Sequence, residues 1–310
     1  MLVSLGGNAI LRHGQKGTAE EQAVNVQSTA KHLVALLRRG ERIALTHGNG
    51  PQVGNILLQN EIAKPTLPPM PLDVCGAESQ GMIGYMLQRA LRSELESGGP
   101  KLAVVTIVSQ TLVDAEDPAF KNPTKPVGPF YSAKEAQQLR ESKGWHVVSD
   151  SGRGYRRVVP SPTPLDILEK ETIIRLFEAG TLVISVGGGG VPVIREKNGA
   201  ITGVEAVLDK DRTAALLAKT LGVETLLILT DVEKVFVNYG KPDQRALDRV
   251  TVQECKKYLS EGQFPEGSMG PKIESAVSFL SGSSGRRVVI ASLEMAEEAL
   301  KGTAGTTITN

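Results

Sequence analysis

Ammonium groups and main-chain amides beside glycine are what a protein offers an anion, and this sequence repeats that pairing. Four glycine clusters stand out: Gly6-Gly7-Asn8, His47-Gly48-Asn49-Gly50-Pro51-Gln52, Gly187-Gly188-Gly189-Gly190 and Gly267-Ser268-Met269-Gly270-Pro271-Lys272. Glycine admits positive φ and lets a ligand approach the backbone N–H groups, as phosphate binding at a helix start requires. One such loop is an ordinary turn. Three after aliphatic runs, with a fourth opening a helix, are hard to explain as turns alone. Pro51 and Pro271 read as first helical residues, where the missing N–H costs nothing. Lys210, within Asp209-Lys210-Asp211, and Lys272 then fall in first turns, where a cation opposes the helix dipole. For one lysine, snorkelling into water suffices as an explanation. For two, an anionic ligand that offsets the repulsion is at least as good.

Other chemistries fit less well. There is no Gly-x-x-x-x-Gly-Lys-Ser/Thr, no His-Arg-Asp and no Asp-Phe-Gly, so neither a P-loop enzyme nor a protein kinase is indicated. The dinucleotide spacing fails because Val53 stands where a third glycine is needed and Gly54 comes one residue late. The histidines His13, His32, His47 and His146 show no metal-ligand pairing, and no Gly-x-Ser-x-Gly elbow occurs. His47 reads as a structural histidine bonding the loop backbone. Cys75 and Cys255 are too few for a disulfide framework and too far apart for a metal site; Cys75, near a helix start capped by Asp73, reads as a small buried residue. What remains is direct phosphoryl transfer, which asks a protein mainly to position two substrates and neutralise spreading charge.

The elements that must hold these residues alternate. Aliphatic runs at Leu2 to Leu5, Arg42 to Thr46, Leu102 to Ser109, Leu182 to Val186, Leu226 to Thr230 and Arg287 to Ser292 read as buried strands. Between them lie helical spacings such as Ile83, Met86, Leu87, Ala90, Leu91 and Leu95. Strand–helix alternation predicts an α/β protein, a three-layer αβα sandwich around a mainly parallel central sheet, with ligands at the carboxyl ends of the strands. Prolines gather between Asp117 and Pro164, together with the single tryptophan, Trp145. A loop that long would be unusual, so a small inserted, lid-like subdomain is expected there, with a helix near Ala133 to Ser142 and a hairpin. Two lobes, residues 1–224 and 225–310, are expected to share one sheet that ends in a Thr306-Thr307-Ile308 strand.

Of 310 residues 33 are glycine, about 11% against an average near 7%. With 40% hydrophobic residues and 35 Lys+Arg against 34 Asp+Glu, neither collagen nor a disordered chain is indicated. A net charge of +1 gives no electrostatic footprint for nucleic acid or a membrane surface. No apolar run is long enough to span a bilayer, no signal-peptide layout is visible, and two cysteines suit a reducing cytoplasm.

In order along nearly the whole chain, the segments Leu5 to Ala9, Thr46 to Gly54, Asn122 to Phe130, Asp150 to Gly154, Arg156 to Pro162, the glycine tetrad with Val191-Pro192-Val193, Val207 to Asp211, Leu229 to Val232 and Gly267 to Lys272 resemble the amino acid kinase family. The glycine loops identify the family in general. Asn122-Pro123-Thr124-Lys125-Pro126 and Gly152-Arg153-Gly154-Tyr155-Arg156-Arg157 are similar to its carbamate kinase branch in particular. The resemblance implies reversible phosphoryl transfer between ATP and carbamate, Mg²⁺ accompanying the nucleotide without a direct side-chain ligand, a role in arginine breakdown, and a homodimer. It also implies the roles of individual residues. Lys210 and Lys272 would flank the transferring phosphoryl, Lys125 would reach in from the insertion, and Asp211 would hold the lysines. Gly6, Gly7, Asn8, Gly48, Asn49, Gly50, Gly187, Gly188 and Gly189 would cradle the phosphate and carbamoyl end. Thr230, Asp231, Val232, Tyr239, Met269 and Gly270, with Lys210 and Lys272, would bind the nucleotide. Asn8 stands where other family members have lysine, a departure that agrees with the carbamate kinase branch.

Overall fold

The structure, a computed structural model, describes residues 1–149, 154–265 and 267–310. Its centre is an eight-stranded sheet in the order Arg249–Thr251, Thr306–Thr309, Arg287–Ser292, Thr225–Thr230, Leu2–Leu5, Ala44–His47, Leu182–Ile184 and Val104–Thr106. The last six run parallel, and Thr306–Thr309 lies antiparallel to Arg287–Ser292. Strands from both ends of the chain therefore belong to one sheet.

Most of the parallel strands are rich in aliphatic residues because helices cover both faces. Successive residues alternate between two cores: Leu2, Leu226 and Ile228 pack with the helices Lys210–Thr220 and Met269–Leu280. Val3, Leu5, Leu227 and Leu229 pack on the other side with Ala19–Arg38 and Leu72–Glu96. The three-layer sandwich expected from the alternation is thus observed. Because the six strands are parallel, their carboxyl ends share one edge, and the loops at 6–8, 48–50, 187–190 and 231–234 all emerge there.

Three local expectations need correction. The run Leu102 to Ser109 is not one strand: Val104–Thr106 joins the main sheet, and Gln110–Leu112 joins a separate four-stranded sheet. Between the two strands Ser109 donates its N–H to the Gln80 side chain (3.0 Å), and its carbonyl accepts from Gln80 (3.1 Å) and from the Val191 N–H (2.8 Å). Asp73 does not cap its helix, which begins at Leu72 after Pro71, so Asp73 lies in the first turn. Pro51 is the second residue of Gly50–Ala63 and Pro271 the third of Met269–Leu280, still among the positions whose N–H has no helical partner.

The insertion is a three-stranded antiparallel sheet, Lys125–Tyr131, Tyr155–Val159 and Val147–Ser149, with the helix Ala133–Lys143. Ser132 and Glu135 form a capping box at the start of that helix, and Gly144 ends it at φ 65°. Of the motif Asp150-Ser151-Gly152-Arg153-Gly154, residues 150–153 lie outside the described residues. Strand Lys125–Tyr131 lies against helix Gly50–Ala63, and Gly54 makes the close approach: a Cβ there would already touch Gly128 at 3.7 Å.

Candidate active site

The site is built on the first turn of helix Lys210–Thr220. Asp209 caps it, one carboxylate oxygen accepting from the N–H groups of Asp211 (3.0 Å) and Arg212 (3.3 Å). Its other oxygen pairs with Lys125 Nζ at 3.0 Å. Asp211 points under the sheet edge and takes two ammonium groups, Lys210 at 2.6 Å on Oδ1 and Lys272 at 3.1 Å on Oδ2. Ser4, the one polar residue of its strand, accepts from Lys210 (3.1 Å) and donates to Asp211 (3.3 Å). Burial by itself would raise the Asp211 carboxyl, but Lys210 and Lys272 together hold it well below the usual carboxylate range. Burial draws the Lys210 ammonium below its ordinary value, Asp211 opposing the shift and Lys272 adding to it. One carboxylate thus anchors two lysines whose charge exceeds its own.

The glycine loops are fastened from beneath. Thr46 donates to the Val186 carbonyl (3.0 Å), Ser109 Oγ accepts from the Val186 N–H (3.0 Å), and Thr111 donates to the Gly189 carbonyl (2.8 Å). Asn49, which caps Gly50–Ala63, donates to Ser79 at 2.8 Å. In the tetrad Gly188, Gly189 and Gly190 all have positive φ, and Cβ atoms on the first and last would collide with Asn49 and Thr111. No other residue type fits there.

Above these elements opens a cleft of about 640 Å³. Among the described residues, Lys16, Lys125, Arg156, Lys210 and Lys272 line it against two carboxylates, Asp209 and Asp211, an excess of three positive charges. Of the residues expected at the site, Gly7, Gly48, Asn49, Gly50, Gly188, Lys125, Lys210, Asp211 and Lys272 line this one cleft. Gly6, Asn8, Gly187 and Gly189 do not. Gly6 donates to the Leu229 carbonyl (2.8 Å), and Asn8 folds its amide oxygen back over Gly6. Gly187 and Gly189 are taken up by packing against His47 and Leu208.

The residues expected to meet nucleotide lie apart from the cleft lining, Lys210 and Lys272 excepted. Thr230 ends its strand and donates to Asp231 at 3.0 Å; Val232 follows, half-buried. Tyr239 stands 68% exposed beyond the turn at Asn238, its ring 6.1 Å from that of Phe236. Met269 packs on the core that contains Leu2, Leu226 and Ile228, and Gly270 lies tight against the Pro265 carbonyl, to which its N–H donates at 2.9 Å. Among the described residues no group of three or more His, Cys, Asp or Glu is arranged to hold a metal ion, and no helix is long and apolar enough to cross a membrane.

The model of the amino acid kinase family matches residues 1–292. The chain belongs to the amino acid kinase family. Within the family it is 52% identical to the carbamate kinase of Pyrococcus horikoshii, the match covering 100% of this chain and 98% of that protein. It is 50% identical to carbamate kinase 3 of Staphylococcus aureus over 100% of this chain and 99% of that one. The structure superposes on the carbamate kinase of Giardia lamblia bound to AMP-PNP with a TM-score of 0.93 at 46% identity, covering 99% and 97% of the two chains.

Several residues of this family member were not singled out from its sequence. Ser4 carried a signal, a hydroxyl inside an otherwise aliphatic buried strand. Asp209 was visible as a residue opening a helix, but its pairing with Lys125, 84 positions away, had no local sign. Ser79, Gln80, Ser109 and Thr111 look like ordinary helix and strand residues; only the tertiary structure sets them beneath the glycine loops.

Proposed function

We propose that this chain transfers a phosphoryl group reversibly between ATP and carbamate, taking carbamoyl phosphate and ADP to carbamate and ATP. The observation that carries the reading is the convergence of Lys125, Lys210 and Lys272 on two carboxylates at one helix start, within a cleft of net positive charge. The near-full-length similarity to carbamate kinases supports the choice of substrate.

In this reading transfer is direct and in line, with no covalent enzyme intermediate. Lys210 and Lys272, held by Asp211, face the charge that spreads over the phosphoryl oxygens, and the amides of Gly7, Asn49 and Gly50 bind the same group. Lys125 holds the carbamoyl phosphate end. The loop from Thr230 to Val232, Tyr239 and the helix start at Met269 and Gly270 receive the nucleotide. Residues 1–224 act as the carbamoyl phosphate lobe, including a lid-like insertion at about 117–164, and residues 225–310 as the nucleotide lobe. Both carboxylates of the cleft are engaged by lysines, so Mg²⁺ enters as the nucleotide's complex, held by its phosphates, and supplies further charge neutralisation. A cytoplasmic homodimer working in arginine breakdown completes the reading, on the strength of the family resemblance.

Incubation with carbamoyl phosphate, ADP and Mg²⁺, with ATP as the readout, tests it. Absence of ATP from folded protein overturns it; competing small carboxylates and phosphates in the reverse assay reveal a different acceptor.

A further inference from the structure

His47 lies where two glycine loops meet, and its ring touches both. It ends strand Ala44–His47 and is 1% exposed. Nδ1 stands 3.0 Å from the Gly48 carbonyl oxygen. A carbonyl can only accept, so the proton is on Nδ1. Burial foremost, with the nearby Lys210 charge, pushes the imidazole down to about 4, so the ring is neutral near pH 7 and this tautomer persists. The Gly48 N–H in turn donates to the Leu5 carbonyl at 3.0 Å, so the Gly48 residue is held at both its amide and its carbonyl.

Gly48 has little freedom elsewhere. A Cβ on it would come within 3.4 Å of both the Gly7 nitrogen and the Lys210 Cδ. Gly48 therefore lies close against an amide of the neighbouring glycine loop and the stem of an active-site lysine, with little room for a side chain between them. The far edge of the ring abuts Gly187, where a Cβ would run into Nε2 and Cε1. Gly187 does not have positive φ. Glycine is required there by the ring and not by the backbone.

We propose that His47 is a positioning residue for phosphoryl transfer: its Nδ1–H fixes the Gly48 carbonyl and so sets the amide of the same peptide, that of Asn49, and the Gly50 amide after it, beside Gly7 and Lys210, with Gly187 backing the ring. The proposal rests on the transferase reading above. His47 touches no reacting atom in it, so its contribution belongs to kcat and not to ligand affinity.

The test uses the full chain with carbamoyl phosphate, ADP and Mg²⁺. His47→Asn keeps an amide N–H at the place of Nδ1–H, whereas His47→Leu keeps bulk and removes the donor. His47→Leu is expected to lose about 100-fold in kcat, the scale of a displacement of about 1 Å in a reacting group, with KM for ADP within about twofold. His47→Asn is expected to recover most of that loss. Should His47→Leu not fold, Gly187→Ala pushes the ring from the other side; its kcat loss should be larger in the His47 background than in His47→Asn. Wild-type kcat in folded His47→Leu, a loss carried by KM, equal loss in Asn and Leu variants, or no difference between the two Gly187→Ala backgrounds each overturns the proposal. A wild type that makes no ATP overturns the carbamate kinase reading itself, and this inference with it.

Discussion

Two lysine–carboxylate assemblies stand two residues apart on one helix start, and they are built differently. Asp211, its side chain 4% exposed, sits among elements that pack on the main sheet and holds Lys210 and Lys272 at once. Asp209 holds a single lysine, Lys125, whose side chain is 35% exposed and arrives on the inserted sheet. Asp209 also has a second occupation, capping the helix, so its position does not depend on Lys125. The first assembly is charge installed by folding, before any ligand comes. The second is charge presented from a separate three-stranded sheet. In the proposed reading, stabilising the phosphoryl group is thus separated from holding the smaller substrate.

The sharpest way to break this contrast is Asp211→Asn, which leaves two ammonium groups facing each other without their carboxylate. Removing one partner from a buried ion pair costs about 3–5 kcal/mol, and urea unfolding should show a loss of that size. Lys210→Ala and Lys272→Ala each leave Asp211 one partner, so the fold should persist while ATP formation falls by about 10²–10³-fold, equivalent to about 2.7–4 kcal/mol. Near-normal turnover in both would refute their assigned roles.

The installed half should also carry a pH signature through His47. Its folded pKa, about 4, lies below the ordinary value of 6.5, so the unfolded chain binds more protons between those limits. The contribution is complete above pH 6.5 and lost as pH falls towards 4, a change of up to about 3 kcal/mol. Unfolding free energies of wild type and His47→Asn, measured across that window, should converge as the pH drops. Lys125→Ala should have the smallest effect on stability, within about 1 kcal/mol for a partly exposed pair, while raising KM for carbamoyl phosphate. A large fall in melting temperature would show that the insertion is not separable after all.

Much of this was legible in the chain itself, for physical reasons that can be traced. Buried parallel strands announce themselves as aliphatic runs, so Leu2–Leu5, Thr225–Thr230 and Arg287–Ser292 were readable almost to the residue. The glycine tetrad was readable because Gly188, Gly189 and Gly190 hold positive φ, where glycine has few substitutes. The proline density between Asp117 and Pro164 marked the insertion because it is incompatible with continuing the strand–helix alternation. What stayed hidden depended on tertiary partners. The short hairpin Val235–Val237 with Arg245–Leu247 lacks a strong alternating pattern. The side chain that holds Ser109 between two strands, Gln80, lies 29 residues away. Gly187 and Gly189 looked like phosphate ligands by composition, yet the space each saves is filled by protein.

The central position of strand Leu2–Leu5 has a consequence for synthesis. One edge pairs with Ala44–His47, but the other waits for Thr225–Thr230. At about 5–20 residues per second, that leaves a mostly aliphatic strand with an open edge for roughly 10–45 s on the ribosome. During that interval Ser4 also lacks Asp211, so the nascent chain holds a hydroxyl facing an unfinished interior. An open edge of this kind is a template for pairing with other chains, which exposes Leu2–Leu5 to aggregation until Thr225–Thr230 has been made.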